Sequence, residues 1–520
     1  MCRYTECPPS GAEADDHSIA TPAVARTRRT RGFGGRHCRA LSAVKSLRVR
    51  RAVRGIGILL LLGLAGCAAA YSTNMGSALQ RMSRGDYEAA LDRLDKPDSK
   101  TDLLLYRLER GLMLHYHGQY ERSNEEFAQA EDLIDRLFTR SVSREMASLL
   151  SSDAIRAYRG EEFERVIIHY YRAMNFQHLG QPQAALVECR KANLKLAEFA
   201  LSTDYELNYR NDAFMQYLTG MMYEAEGEWN DAYVAYRAAE RGYQAYSELF
   251  GLRAPRELGV DLAGVSARLG YERETQETMR RYGLTQEDLA AARQSRIIAF
   301  IETGFIGRKH QYEVRLPIME SDDVNNIWLV SNQMAYRYRH PHLYRRGSVR
   351  YWLRIALPEY RPVPSVVRSV RLHADDVSAT GVVLQDLNAI AMETFTDKHD
   401  TIVARTAARA LAKYMASRGV EKAFERAENR DDDRVWMEGL GRFMGALVNL
   451  FGVATEAADT RSWMSLPARV HMVRLQVPPG TVDLQVQFLN ASGDTVETQR
   501  IPAVRVPNQA PVFVNFRGYR

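Results

Sequence analysis

The sequence predicts a multidomain protein in which an α-helical tetratricopeptide-like solenoid precedes an α+β domain with mainly antiparallel strands. The chain has 520 residues, which is too long for one ordinary hydrophobic core. Small and aromatic residues recur around glycines in residues 72–295, the expected repeat domain. Short β-rich runs separated by Gly, Pro and charged turns fill residues 296–520, the expected α+β domain, with strands flanking two helices.

Residues 1–66 are predicted to be a disordered extension followed by an export signal. A basic stretch, residues 45–54, precedes an apolar stretch, residues 55–64, which has the length of a signal-peptide core and is too short to span a bilayer comfortably. Leu64-Ala65-Gly66-Cys67 then resembles the lipobox of bacterial lipoproteins. We expect cleavage between Gly66 and Cys67, acylation of Cys67, and a lipidated linker at residues 67–71. The alternative is a buried apolar segment that happens to end in cysteine.

Residues 1–43 lack hydrophobic periodicity and lie upstream of a leader that is complete without them. They are either a mis-assigned start, with initiation at a residue such as Val44, or a disordered extension. Residues 1–66 hold 12 Lys/Arg against 4 Asp/Glu, so the remainder of the chain is slightly acidic. The basic balance of the whole chain therefore does not indicate a nucleic-acid partner.

Cysteine use excludes an internal disulfide framework in the processed chain. Apart from Cys67, only Cys189 follows the predicted cleavage point. Cys189 lies in an amphipathic helical pattern, which favours a buried, inert thiol over a reactive one.

The helical half repeats one pattern of small and aromatic positions. Clear copies occupy residues 111–130 and 220–239, a weaker copy occupies residues 173–192, and residues 85–94 keep the turn and the second helix. Each copy predicts a helical hairpin with a glycine in its turn, at Gly85, Gly118, Gly180 and Gly227. The uneven spacing of these glycines predicts extra helices or long turns between hairpins.

Two functions are compatible with the repeats: a concave surface for a protein or peptide, or a helical scaffold for the second half. Tyrosines are frequent in this half, and aromatic residues are favoured at protein interfaces. The candidate partner-binding residues here are Tyr223, Trp229 and Tyr236, although repeat positions also place aromatics in the core.

The second half alternates between strand and helix signals. The predicted strands are residues 297–302, 312–317, 349–357, 366–373, 469–477, 481–489, 495–501 and 511–516. Helices are predicted at residues 400–428 and about 435–457. The last four strands are expected to form a small antiparallel layer or sandwich. The apolar segment 436–451 contains Gly441-x-x-x-Gly445 and is either packed on the sheet or in contact with lipid.

The mature chain resembles a family of largely uncharacterised outer-membrane lipoproteins of Gram-negative bacteria, with an amino-terminal tetratricopeptide-like half and a conserved carboxyl-terminal domain. The likeness is carried by the lipobox and by residues 211–220, 298–304, 353–358 and 454–467. It implies location and architecture and supplies no catalytic residue or substrate. Ala68 stands where inner-membrane retention signals usually have Asp, so the resemblance implies an outer-membrane location facing the periplasm.

Motifs that carry chemistry are absent from the sequence. It contains no phosphate loop, nucleophile elbow, His-Glu-x-x-His or paired-cysteine zinc spacing. His115-x-His117 and His340-x-His342 do not complete a metal site, so we expect no metal and no cofactor. Asp459, Arg461 and Trp463 form a cluster that either faces a partner or peptidoglycan, or is an internal ion pair beside a core tryptophan.

From the sequence we expect a lipid-anchored periplasmic adaptor without enzyme activity. Its partners would be the bilayer, through acylated Cys67, and an envelope protein or peptide, with peptidoglycan as a further candidate and no nucleic acid. The alternative is a cell-wall-acting enzyme, or an activator of one, with its site in the carboxyl-terminal domain. A pocket that gathers carboxylates or histidines would favour the enzyme.

Overall fold

The computed structural model describes residues 67–94, 101–139, 157–202, 211–322, 326–340, 349–428 and 457–520. The predicted leader, with Gly66, and most of the predicted helix at 435–457 lie outside the described residues. Cys67 is the first residue of the first described helix. Among the described helices, none is long and apolar enough to cross a membrane.

The helical half consists of tetratricopeptide-like hairpins, as predicted. Its helices are α1 (Cys67–Met82), α2 (Tyr87–Arg93), α3 (Leu103–Tyr116), α4 (Tyr120–Thr139), α5 (Glu162–His178), α6 (Pro182–Ser202), α7 (Ala213–Ala225), α8 (Trp229–Phe250), α9 (Arg256–Arg268), α10 (Glu272–Tyr282) and α11 (Gln286–Ala291). Successive pairs from α1/α2 to α9/α10 form the hairpins, and the last pair was not predicted as a repeat.

A glycine with positive φ ends the first helix of each hairpin. The predicted Gly85, Gly118, Gly180 and Gly227 have φ between 68° and 76°, and Gly270 at the α9–α10 turn has the same conformation, with φ 76°. The residue after each glycine donates its N–H to a carbonyl five residues earlier, as from Gln119 to Leu114 at 2.9 Å. This bond satisfies a carbonyl at the helix end, and it requires the left-handed residue that glycine supplies without strain.

The described residues of the mixed half form three sheets and two further helices. The strands are β1 (Arg296–Thr303), β2 (Arg308–Met319), β3 (Val349–Arg361), β4 (Ser369–Ala374), β5 (Val377–Thr380), β6 (Val382–Asp386), β7 (Arg469–Gln476), β8 (Gly480–Leu489), β9 (Thr495–Val506) and β10 (Pro511–Gly518). The helices are α12 (Ile327–Arg339) and α13 (Leu387–Glu428). Of the described strand pairs, only β1 with β10 is parallel.

The last four strands divide between two sheets. The central sheet has the order β10-β1-β7-β6, and the outer sheet has the order β5-β4-β8-β9. Strands β2 and β3 form a separate ribbon, which packs with α12 and α13 around its own core. Of the two predicted alternatives, a single small antiparallel layer is wrong, because β7 and β10 pair with β1, which lies far away in the sequence. The four strands instead contribute to two sheets that share a core.

The central sheet is the middle layer between the helical repeats and the outer sheet. In β1, Ile298 and Phe300 belong to the core shared with the helices. Ile297, Ala299 and Ile301 belong to the core shared with the outer sheet. Alternate side chains of a strand point to opposite faces, so this near-continuous apolar strand is buried on both sides. The largest core thus contains side chains from both halves of the chain.

Candidate functional site

The groove formed by the first helices of the hairpins is filled by the chain's own central sheet. Core side chains from α3, α5, α7 and α9 lie in one cluster with side chains from β1, β6, β7 and β10. Helix α5 is buried at every position from Glu162 to Asn175, and is therefore covered on all sides. The concave face of the repeats, which the sequence predicted to bind a partner, is therefore covered by the chain's own central sheet.

A buried carboxylate anchors β1 to the repeats. Glu302 accepts hydrogen bonds from the hydroxyls of Tyr170 at 2.8 Å and Tyr171 at 2.9 Å, and from that of Tyr116. Burial raises the pKa of Glu302, although the charge of nearby Arg517 opposes that shift. Because buried polar groups are costly unless they are paired, this cluster specifies how β1 lies against α3 and α5.

A histidine joins α3 to the last strand. His115 Nδ1 donates to Asn175 Oδ1 at 2.6 Å, and its Nε2 accepts from Asn515 Nδ2 at 2.7 Å. His178 Nε2 donates to the other atom of that amide, Asn515 Oδ1, at 2.7 Å. Burial lowers the pKa of His115 to about 3. Both ring nitrogens are engaged in the neutral form, and a second proton would face an amide donor.

Ion pairs hold strands β7 and β1 of the central sheet against the repeats. Arg474 of β7 donates from Nη1 to Asp261 Oδ1 of α9 at 2.7 Å, and the Tyr217 hydroxyl donates to Asp261 Oδ2 at 2.8 Å. Arg296 of β1 donates to Glu224 of α7 at 2.6 Å. Arg474 stands inside an apolar strand run and Arg296 directly precedes one, which is the sequence signal that could have identified both as buried charges.

The stretch from residue 457 to residue 468 lies against α3 and α5 and contains the predicted cluster. Arg461 donates to Asp459 at 2.8 Å and to Asp102 at 2.9 Å. Trp463 is fully buried, and its backbone N–H donates to Glu164 at 2.8 Å. The structure therefore brings Asp459, Arg461 and Trp463 together as an internal contact between the two halves.

The aromatic candidates of the repeats lie at different depths. Tyr236 is fully buried and donates to Glu224 at 2.5 Å. Tyr223 is nearly buried and accepts a hydrogen bond from Arg190 at 2.9 Å. Trp229 is half-buried under the guanidinium of Arg268, 4.3 Å from the ring centre. Tyr236 thus has no free surface, whereas Trp229 keeps part of its ring accessible.

The outer faces of the second helices remain exposed and carry aliphatic side chains. Val187 and Leu194 lie one heptad apart on α6, and Leu194 is 70% exposed. Val234 on α8 is 63% exposed. Sequence reasoning missed these positions, because a valine or leucine in a repeat helix is usually core.

One described cluster has the composition of a metal site, formed by Glu131, His169 and Glu188. Arg172 and Lys191 both contact the two carboxylates, and Glu188 also accepts from His169 Nδ1 at 2.8 Å. Only His169 Nε2 and Glu131 Oε1, 3.9 Å apart, remain for an ion. Because the side chains of Arg172 and Lys191 already neutralise the two carboxylates, the cluster is better described as an ion-pair network.

The other described residues that could take part in catalysis or metal binding do not form a common site. His115 is buried in the interface described above, and His342 lies outside the described residues. Burial raises the pKa of the Cys189 thiol to about 12, as for an inert core cysteine. A cavity of about 520 Å³ beside the α9–α10 turn is lined by Glu272, Glu274 and Glu277 among others. Hydrogen bonding to Arg273 lowers the pKa of Glu277.

Comparison with known proteins finds only distant structural similarity. No protein-family model and no curated protein matches the chain. TPR-like repeats of a kinesin light chain candidate from Podosopora anserina are 15% identical, cover 44% of this chain and 97% of that chain, and superpose with a TM-score of 0.29. A Rap protein complexed with competence and sporulation factor is 12% identical, covers 42% and 54% respectively, and gives a TM-score of 0.25.

A third similar structure is a tetratricopeptide repeat protein from Parabacteroides merdae. It is 10% identical, covers 43% of this chain and 96% of that chain, and gives a TM-score of 0.15. The assignment of tetratricopeptide-like repeats therefore rests on the hairpins of this chain, and such repeats suggest a protein-binding scaffold.

Proposed function

We propose that the protein is a lipid-anchored scaffold of the outer membrane, exposed to the periplasm, whose repeats hold the central sheet in their groove and present their outer helices to a protein partner. The observation that carries the proposal is the division of the repeat surface. The inner face is filled by the chain's own sheet, whereas the outer face exposes Val187, Leu194 and Val234. A contiguous exposed apolar patch marks a contact surface, and the crosslinking experiment below tests whether these side chains belong to one.

A scaffold fits the described residues better than an enzyme. Of the carboxylates around the cavity, Glu272 is exposed and Glu277 is partly exposed, and Glu277 already pairs with Arg273 at 2.9 Å. The buried carboxylates Glu302 and Asp261 are saturated by tyrosines and arginine inside the interface. A carboxylate that acts as a general acid or base near neutral pH needs a raised pKa together with access to substrate. The pKa of accessible Glu277 is lowered, whereas Glu302, whose pKa is raised, is buried.

Photo-crosslinking in cells tests the partner surface. A benzoylphenylalanine placed at Leu194 or Val187 should give a discrete crosslinked adduct, because the outer face of α6 would then contact the partner. The same probe at Arg273, a polar control whose side chain is 92% exposed on α10, should give none. Equal crosslinking at all three positions, or no crosslinking at either α6 position, would contradict the proposal that this surface binds a partner.

Changing Cys67 to Ser tests the anchor. The lipobox supports acylation at this cysteine, and acyl chains buried in the bilayer would account for stable attachment. We expect intact mass spectrometry to find a lipidated chain beginning at Cys67 in wild-type membranes, and the variant to lose the lipid mass. An unprocessed, unlipidated wild-type chain would contradict the anchor and leave the crosslinking result unaffected.

A further inference from the structure

The β2–β3 ribbon has one packed face and one exposed face. Its packed face contributes Leu316, Leu353 and Ile355 to the core formed with α12 and α13. On the opposite face the side chains of Arg315, Arg350, Trp352 and Arg354 are exposed. We call these four residues the basic ribbon face.

Two arginines of the basic ribbon face lie close enough to repel each other. Arg315 lies directly opposite Arg354 in the strand register. Like charges directly opposite on one face of a sheet repel each other. Arg354 pairs with Glu313, whereas the side chain of Arg315 forms no hydrogen bond or ion pair with any other described residue. The face therefore keeps uncompensated positive charge that an anion would stabilise.

Arg350 and Trp352 extend this charge into an amphipathic strip. Arg350 donates to the backbone carbonyl of Glu320 at 2.8 Å. This acceptor is neutral, so the contact does not neutralise the guanidinium charge. Trp352 is 40% exposed between Arg350 and Arg354. Alternate residues of a strand are about 6.7 Å apart, so the strip presents several separated groups along one strand. Residues 326–361 contain seven arginines and one Glu, although the chain beyond residue 66 is slightly acidic.

We propose that the basic ribbon face binds the anionic phospholipid headgroups of a membrane surface. Arg350, Trp352 and Arg354 repeat at alternate positions of one strand, which matches a surface that carries many headgroups better than a single small anion. Arginine pairs with phosphate, and tryptophan is favoured at membrane interfaces because its ring is apolar with a polar N–H. This contact goes beyond the proposed anchor and does not require acylation of Cys67.

Vesicle binding by a chain without the anchor tests the proposal. The hydrophobic clusters of the described residues lie between Met75 and Phe516, so a chain beginning at residue 68 retains them. It should bind vesicles containing phosphatidylglycerol, lose binding as salt is raised, and bind pure phosphatidylcholine weakly. Each basic residue near an anionic surface contributes about 1 kcal/mol, so Arg315→Glu with Arg354→Glu should weaken binding at least about 30-fold.

A matched pair of substitutions separates local contact from net charge. Arg273→Glu with Arg371→Glu makes the same change of charge at exposed positions on α10 and β4 and should alter binding less than threefold. Brominated lipids should quench wild-type tryptophan fluorescence more than that of Trp352→Phe. Equal loss in both charge variants, equal binding to neutral vesicles, or binding only to polyglutamate or duplex DNA would each overturn the proposal. A lipidation result at Cys67 has no bearing on these outcomes.

Discussion

Replacing Arg474 with Met should lower the free energy of unfolding by about 3 to 5 kcal/mol, because it leaves a buried charge without its partner. The side chain of Asp261 is 0% exposed and that of Arg474 is 10% exposed. Without the guanidinium, the Tyr217 hydroxyl is the remaining donor to Asp261 among the described side chains that contact it. Urea denaturation of the wild type and the variant measures the loss.

A second variant distinguishes loss of charge from loss of packing. Asp261→Leu combined with Arg474→Met removes both charges, and a buried ion pair replaced by apolar groups is often neutral in stability. The double variant should therefore recover most of the loss. The surface control Arg273→Met removes an exposed partner of Glu277 and should leave the denaturation midpoint essentially unchanged. If Arg474→Met changes stability no more than this control, the pair does not hold the central sheet to the repeats.

The hairpins could be predicted because their determinants are local. A turn glycine, a small residue seven positions before it and a large residue nine positions after it lie within one helical hairpin, so the spacing alone specifies the structure. The hairpin around Gly270 was not predicted from the sequence. Thr275 occupies the position at which the clearest copies have Ser or Ala, and Met279 occupies the position at which they have an aromatic residue. Its turn has the same conformation as the others.

The filled groove could not be predicted, because its determinants are far apart in the sequence. Strand β1 pairs with β7 and β10, and no local pattern shows that Glu302 meets tyrosines of α5, 131 and 132 residues away. The residues Asp459, Arg461 and Trp463 were recognisable as a cluster, but composition does not say whether such a cluster faces a partner or the same chain. A charge within an apolar strand predicts a buried counter-charge, without identifying it.

Replacing Gly220 with Ala should lower the free energy of unfolding by about 2 to 3 kcal/mol, the usual cost of overpacking a core. A Cβ at this position would lie 2.3 Å from Cδ1 of Tyr236, whose ring is fully buried. The equivalent pair in an earlier hairpin is Gly111 and Phe127, where the added atom would lie 2.8 Å from the ring. Thermal and urea unfolding measure the change, and Gly111→Ala should give a smaller loss in the same direction.

The pairing in the other hairpins indicates how the clash is avoided. At the same two frame positions, one hairpin has Ala173 with Cys189 and another has Ala263 with Met279, so the chain combines alanine with a smaller or more flexible partner. Gly220→Ala with Tyr236→Met should therefore lose less stability than the sum of the two single variants. As a control, Gly76→Ala lies in α1 with nothing within 4 Å of the new Cβ and should gain about 0.5 to 1 kcal/mol. Strict additivity in the double variant would mean that Gly220 is required for a reason other than its contact with the Tyr236 ring.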